Sequence, residues 1–144
     1  MKLDEIQLMW ERDAQIDRTE LGEESLRIPI LHSKYFKIFS QERLLLRKME
    51  GEYKTLFKDK YEWYNGSISE EQLREYEWEP NPLKILRTDI PMHLEADKQL
   101  QAQSLKIEMQ REKVEFVEAI IKSLTTRGFQ IKSAIDWERF KMGA

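Results

Sequence analysis

Residues 30–66 read "ILHSKYFKIFSQERLLLRKMEGEYKTLFKDKYEWYNG", and Gly51 is the only helix breaker before the closing Asn65-Gly66 pair. So long a run without proline or a turn cluster predicts one helix from Ile30 to Tyr64, roughly 50 Å at 1.5 Å per residue. Wound at about 100° per residue, Leu31, Tyr35, Ile38, Leu46, Met49, Tyr53, Leu56, Phe57 and Tyr64 gather on one broad stripe, the side an amphipathic helix turns to a core. A second stripe collects Arg43, Arg47, Lys54, Lys58 and Tyr61 at spacings of four, seven, four and three. Glu50 falls inside it and can pair with Arg47 or Lys54 for only about 0.2–0.5 kcal/mol. Lys60 departs from the pattern: an ideal helix puts it on the apolar side, where its stem packs and its ammonium reaches outward.

The basic stripe is conspicuous in a chain of net charge -3. Acids dominate residues 1–26 and 61–97, whereas residues 27–60 set nine Lys and Arg side chains against Glu42, Glu50, Glu52 and Asp59. A partner meets that local field and not the average. The stripe runs into "KDKYEWY", residues 58–64. Cations interleaved with rings suit a single nucleic-acid strand, because phosphates attract positive groups and every base has a face that stacks. Arg43, Arg47, Lys54 and Lys58 are the candidate phosphate contacts; for Lys60 to join them, either the helix distorts there or Lys60 acts from a different direction. Tyr61 and Trp63 are the candidates for stacking, since Tyr53, Phe57 and Tyr64 lie on the apolar stripe and are assigned to the core. A solvated helix face carries the same letters, so charge spacing alone leaves both readings open.

On the N-terminal side, Leu3, Ile6, Met9 and Trp10 have the spacing of a short amphipathic helix ending near Ala14. Asp17 followed by Glu20 has the form of a capping box and predicts a new start, with Pro29 either in its first turn or kinking it. On the C-terminal side, Ser69 with Gln72 opens a short acidic helix to about Glu77. "EPNPLKILRTDIPMHLEAD", residues 79–97, holds three prolines and short apolar runs, which predict an extended connector or a short strand pair. The helical pattern returns from about Asp97 to Arg127, Gly128 is the predicted stop, and a last short helix is expected from Ser133 to about Lys141. Within it Leu100, Ile107, Val114 and Ile121 recur every seven residues, each followed three later by Gln103, Gln110, Val117 and Leu124. The glutamines weaken the first half as a dry seam, while Phe116 and Ile120 widen the apolar surface in the second. That seam can pack against residues 31–64 of the same chain, against another copy, or both.

The remaining composition narrows the function. The 144 residues are 35% charged and 40% hydrophobic, with 5 Gly, 4 Pro and no Cys, so a helical domain fits and thiolate metal sites and disulfides do not. "MKLDEIQLMWERD" lacks the positive start and apolar run of a signal peptide and no segment approaches a bilayer-spanning length, so the chain is read as intracellular and soluble, with no membrane partner. "EGEYKT" lacks the spacing of a phosphate loop, and His32 and His93 have no partner at metal-ligand spacing. No carboxylate pair stands out for acid–base work, so neither an enzyme nor a cofactor is expected.

Two long stretches resemble one family. "FKDKYEWYNG", residues 57–66, is similar to the single-stranded-DNA-binding motif of the UvsY family of phage recombination mediators, and "IIKSLTTRGFQIKSAIDWERF", residues 120–140, to its C-terminal segment. "MKLDEIQ" and "IDRTEL" fit the same pattern, so the likeness runs over most of the chain and is weakest between about Ser67 and Glu115. The resemblance implies a non-enzymatic protein, working in the cytoplasm of an infected bacterial host, that binds single-stranded DNA and assembles into a ring-like homo-oligomer, a hexamer or heptamer. It implies help to a RecA-like recombinase in displacing the single-strand-binding protein that coats the strand. The family's motif has a lysine and an arginine two apart, matched here by Lys58 and Lys60; a lysine lacks the planar fork that grips a phosphate bidentately, and Asp59 between them adds repulsion. The family's self-association segment corresponds to Val114 through Phe140, which includes Val117, Ile121, Leu124, Phe129, Ile131 and Ile135.

The expected architecture is therefore mainly α, one helical domain over 1–144 with long amphipathic helices and a short irregular or β-like connector. Residues 30–64 are its DNA-binding helix and 98–144 its oligomerisation region. The expected function is recombination mediation; the alternative is a helical scaffold or adaptor that binds only proteins.

Overall fold

Pro29 lies inside a helix and not at its head. In the computed structural model, which describes residues 1–143, α1 spans Leu3–Asp13 and α2 runs unbroken over Leu21–Asn65. Asp17 does not cap α2. Its carboxylate accepts from the Thr19 amide at 2.9 Å and the Thr19 hydroxyl at 2.6 Å, so it closes a turn before the helix begins. Burial then pays for the amide that Pro29 lacks: the ring is exposed, so the carbonyl one turn back can meet water, while Leu31 and Tyr35 just beyond are buried.

After α2 the left-handed Gly66, φ 80°, turns the chain. Ser69 caps α3, Glu70–Tyr76, its hydroxyl accepting from the Gln72 amide at 3.2 Å. The connector contains no strand among the described residues. A 3-10 turn at Arg87–Asp89 leads into α4, Ile90–Glu95, where Pro91 sits in the first turn with its φ already helical and Ile90 and Leu94, one turn apart, are both buried. The strand-pair expectation fails because an i,i+4 apolar pair outweighs the prolines. Asp97 caps the final helix, α5, Lys98–Lys141, accepting from the Leu100 amide at 2.9 Å. Gly128 does not stop α5, and its φ is not positive. A helical glycine costs only about 1 kcal/mol relative to alanine, less than the buried side chains on either side return.

The chain forms two compact units. The first takes Met1–Leu44 with the chain from Arg111 onward. Its core joins Ile6, Leu31, Tyr35, Val117, Ile120 and Leu124, with Trp10, Phe39 and Ile121 packed around it. Here the second half of the heptad pattern packs within its own chain. Arg127 is buried beneath it and donates to the carbonyls of Asp13 at 3.2 Å and Ala14 at 2.8 Å, the open end of α1, with its guanidinium 5.3 Å from the Trp10 ring. The Asp13 carboxylate collects Lys34 at 2.7 Å, Tyr35 at 2.8 Å and Arg27 at 3.3 Å.

The second unit is Leu45–Gln110. Ile90, Leu94 and Leu100 form its centre, and Tyr53, Leu56, Tyr61, Tyr64 and Ile85 pack against them. The last third of α2 is thus clamped on its apolar side by α4 and the start of α5.

Candidate nucleic-acid interface

Three consecutive residues of α2 face three ways, as about 100° per residue requires. Lys58 is 70% exposed and pairs with Glu62 at 3.2 Å. Exposed i,i+4 pairs contribute about 0.3–0.5 kcal/mol, so this ammonium is free to exchange its partner for a phosphate. Asp59 is buried and accepts a hydrogen bond from the Tyr76 hydroxyl of α3, so it does not stand between the two lysines at the surface. Burial, and then that bond, push Tyr76 up to about 12.

Lys60 turns inward. Its side chain is 13% exposed, its ammonium lies 3.2 Å from Asp97 Oδ2, and the Trp78 and Trp63 rings flank it at 4.4 Å and 5.8 Å. Tyr64 donates to the same Asp97 oxygen at 2.7 Å. Burial alone would raise the Asp97 carboxyl; the bond from Tyr64, the bond from the Leu100 amide and the charge of Lys60 outweigh it and hold the group below the usual carboxylate range. The winding had placed Lys60 on the apolar side, and the partner it meets there is the cap of α5, which no spacing within 30–64 could reveal.

The other candidates divide. Arg47 and Lys54 are exposed, and with Lys58 they occupy one edge of α2 within the second unit. Arg43, in the first unit, is half-buried, with its guanidinium 5.0 Å from the Phe39 ring and its Nε buried without a hydrogen-bond partner. Tyr61 packs against the Ile90–Leu94–Leu100 cluster. Trp63 donates its indole N–H to the Glu79 carbonyl at 2.7 Å and sets its ring edge-on to Tyr64, so both stacking candidates are engaged within the chain. Phe57, assigned to the core by its winding, is 42% exposed instead.

Of the residues expected between copies, Val114, Val117, Leu124 and Ile131 are buried in their own chain, and Ile121 and Ile135 are partly covered. Phe129 and Phe140 are 76% and 71% exposed, and Trp137 stacks on Phe140 at 5.5 Å. Among the described residues there is no cluster of His, Cys, Asp or Glu able to hold a metal ion, and no helix long and apolar enough to cross a membrane.

Known proteins resemble this chain in sequence and in fold. The profile of the family described as "Recombination, repair and ssDNA binding protein UvsY" matches residues 9–144. The recombination protein uvsY of Enterobacteria phage T4 is 23% identical over 143 residues, which cover 99% of each chain. Two crystal structures of the bacteriophage T4 recombination mediator protein UvsY share the fold. The type IV lattice matches at TM-score 0.83 and 22% identity over 97% of this chain and 99% of that one. The type I lattice matches at TM-score 0.81 and 21% identity over 95% and 98%. With a family profile spanning nearly its whole length and the same helical fold beneath it, the chain belongs to the UvsY family of recombination, repair and single-stranded-DNA-binding proteins.

Proposed function

We propose that the exposed edge of α2 formed by Arg47, Lys54 and Lys58 is where a single strand lies, and that Lys60 anchors this edge from behind. The observation that carries the reading is the division between Lys58 and Lys60: one ammonium is open to solvent, the other is committed to Asp97. From Arg47 to Lys58 the edge runs about 16 Å along the helix. So few cations bind a strand weakly, mainly by counterion release, and affinity then comes from repetition. Copies of the chain assemble into a ring of six or seven through the C-terminal turns of α5, where Phe129, Trp137 and Phe140 lie exposed. A strand held on several such edges is presented to a RecA-like recombinase in place of the single-strand-binding protein that coated it, in the cytoplasm of an infected bacterial host.

The test is fluorescence anisotropy of a labelled oligonucleotide at several salt concentrations. Replacing Lys54 and Lys58 with alanine should weaken binding and flatten the log–log salt slope by about 0.7 per cation removed. Unchanged affinity and slope would overturn the assignment of this edge. No binding by the native chain at low salt would favour an adaptor that contacts only proteins.

A further inference from the structure

In the second unit the fold leaves one aromatic ring exposed. Tyr53, Leu56, Tyr61 and Tyr64 are all drawn into the cluster around Ile90, Leu94 and Leu100, but Phe57, in their midst along the chain, stands outside it and is 42% exposed. Its neighbours on the helix surface are Lys54 one turn before and Tyr61 one turn after, while Lys58 is turned about 100° away from it round the helix. Tyr53 packs alongside, ring centroids 6.2 Å apart and tilted by 40°, which restricts the orientations Phe57 can take. Trp63 offers no comparable face, since its indole is tied to Glu79 and lies edge-on to Tyr64.

We infer that Phe57 is a base-stacking residue: a strand whose phosphates meet Lys54 and Lys58 lays a base on the phenyl face that flanks Lys54. The inference rests on reading the basic edge of α2 as the strand site. A phenyl ring has no donor or acceptor with which to tell bases apart, so the contact suits a protein that must bind any sequence. Its position one turn from Lys54 is what makes stacking accessible, because a base is tethered to the phosphate that this cation holds. Restraint by Tyr53 lowers the ordering entropy lost when the base arrives.

The test compares an oligothymidine with an abasic strand of equal length and charge, using the full chain and anisotropy over a series of salt concentrations. Phe57→Ala should weaken oligothymidine binding roughly five- to a hundred-fold, the range that one stacked base contributes. It should change abasic binding less than about twofold and leave the salt slope as it was, since no counterion is released by a ring. Phe57→Trp should retain affinity, and Phe57→Leu, which keeps apolar bulk without a π face, should lose it as alanine does. Equal losses on the two strands, no loss on oligothymidine, or full affinity in Phe57→Leu would each overturn the role of the ring. If Lys54→Ala/Lys58→Ala lowers affinity and slope while Phe57→Ala is neutral, the stacking inference alone fails; if the double lysine variant changes nothing, the basic edge fails first.

Discussion

The ammonium of Lys60 lies 3.2 Å from the carboxylate of Asp97, and through this pair the last turns of α2 are fastened to the first turn of α5. Both side chains are largely withdrawn from water, so removing one leaves the other charged and poorly solvated. Lys60→Ala should cost about 3 kcal/mol in urea unfolding. A double-mutant cycle with Asp97→Ala should return a coupling of at least about 1 kcal/mol. A coupling near zero would show that the pair is not what holds the two helices.

Acid should release the same joint. Asp97 is held below its ordinary 3.8 because the Tyr64 and Leu100 bonds and the Lys60 charge outweigh burial. Asp13 is likewise lowered, with burial opposed by the bonds from Lys34 and Tyr35 and by the charge of Arg27. A carboxyl depressed in the folded state adds stability that is complete above its unfolded value and lost as pH falls through the folded one. The urea midpoint should therefore hold level above about pH 5 and decline progressively below it. Asp97→Asn should be less stable at neutral pH and show a shallower acid decline; an unchanged decline would remove Asp97 from its cause.

Gly51 and Gly128 are exposed helical positions, and a methyl group added at either meets no atom within 4 Å. Replacing each with alanine should stabilise the chain by about 0.5–1 kcal/mol, read as a rise in Tm. A loss of stability in Gly128→Ala would mean that α5 bends there.

Self-association should respond to the exposed rings and not to the buried seam. Phe129→Glu with Phe140→Glu should reduce the mass seen in sedimentation equilibrium and leave the helical circular dichroism intact. Val117→Glu, at a position with no exposure, should unfold the first unit instead. An unaltered mass in the double phenylalanine variant would count against these rings as a contact between copies.

Much of this fold was legible because α2 and α5 announce themselves by periodicity, and because Ser69 and Gly66 do locally what their chemistry prescribes. What was not legible depended on distant partners. Asp17 and Thr19 form a turn that the capping pattern mimics, and α2 passes through Pro29 because residues from α1 and α5 bury the turns beyond it. The basic edge could be read from winding alone, whereas the engagement of Trp63 by Glu79 and of Tyr61 by the α4 cluster arises from residues 16 or more positions away. Phe57 was misassigned because the apolar stripe is wider than the surface available to cover it.

Lys58, Asp59 and Lys60 serve the open edge, α3 and α5 in succession, and this makes α2 sensitive to length in a way that it is not sensitive to composition. One residue inserted between Lys54 and Lys58 would turn the two lysines about 100° out of phase, however faithfully every letter was kept. Seven inserted residues would restore the phasing to within about 20°. Variation among such chains should accordingly accumulate as substitutions in this segment, with gaps displaced to the connectors around Gly66 and Pro80.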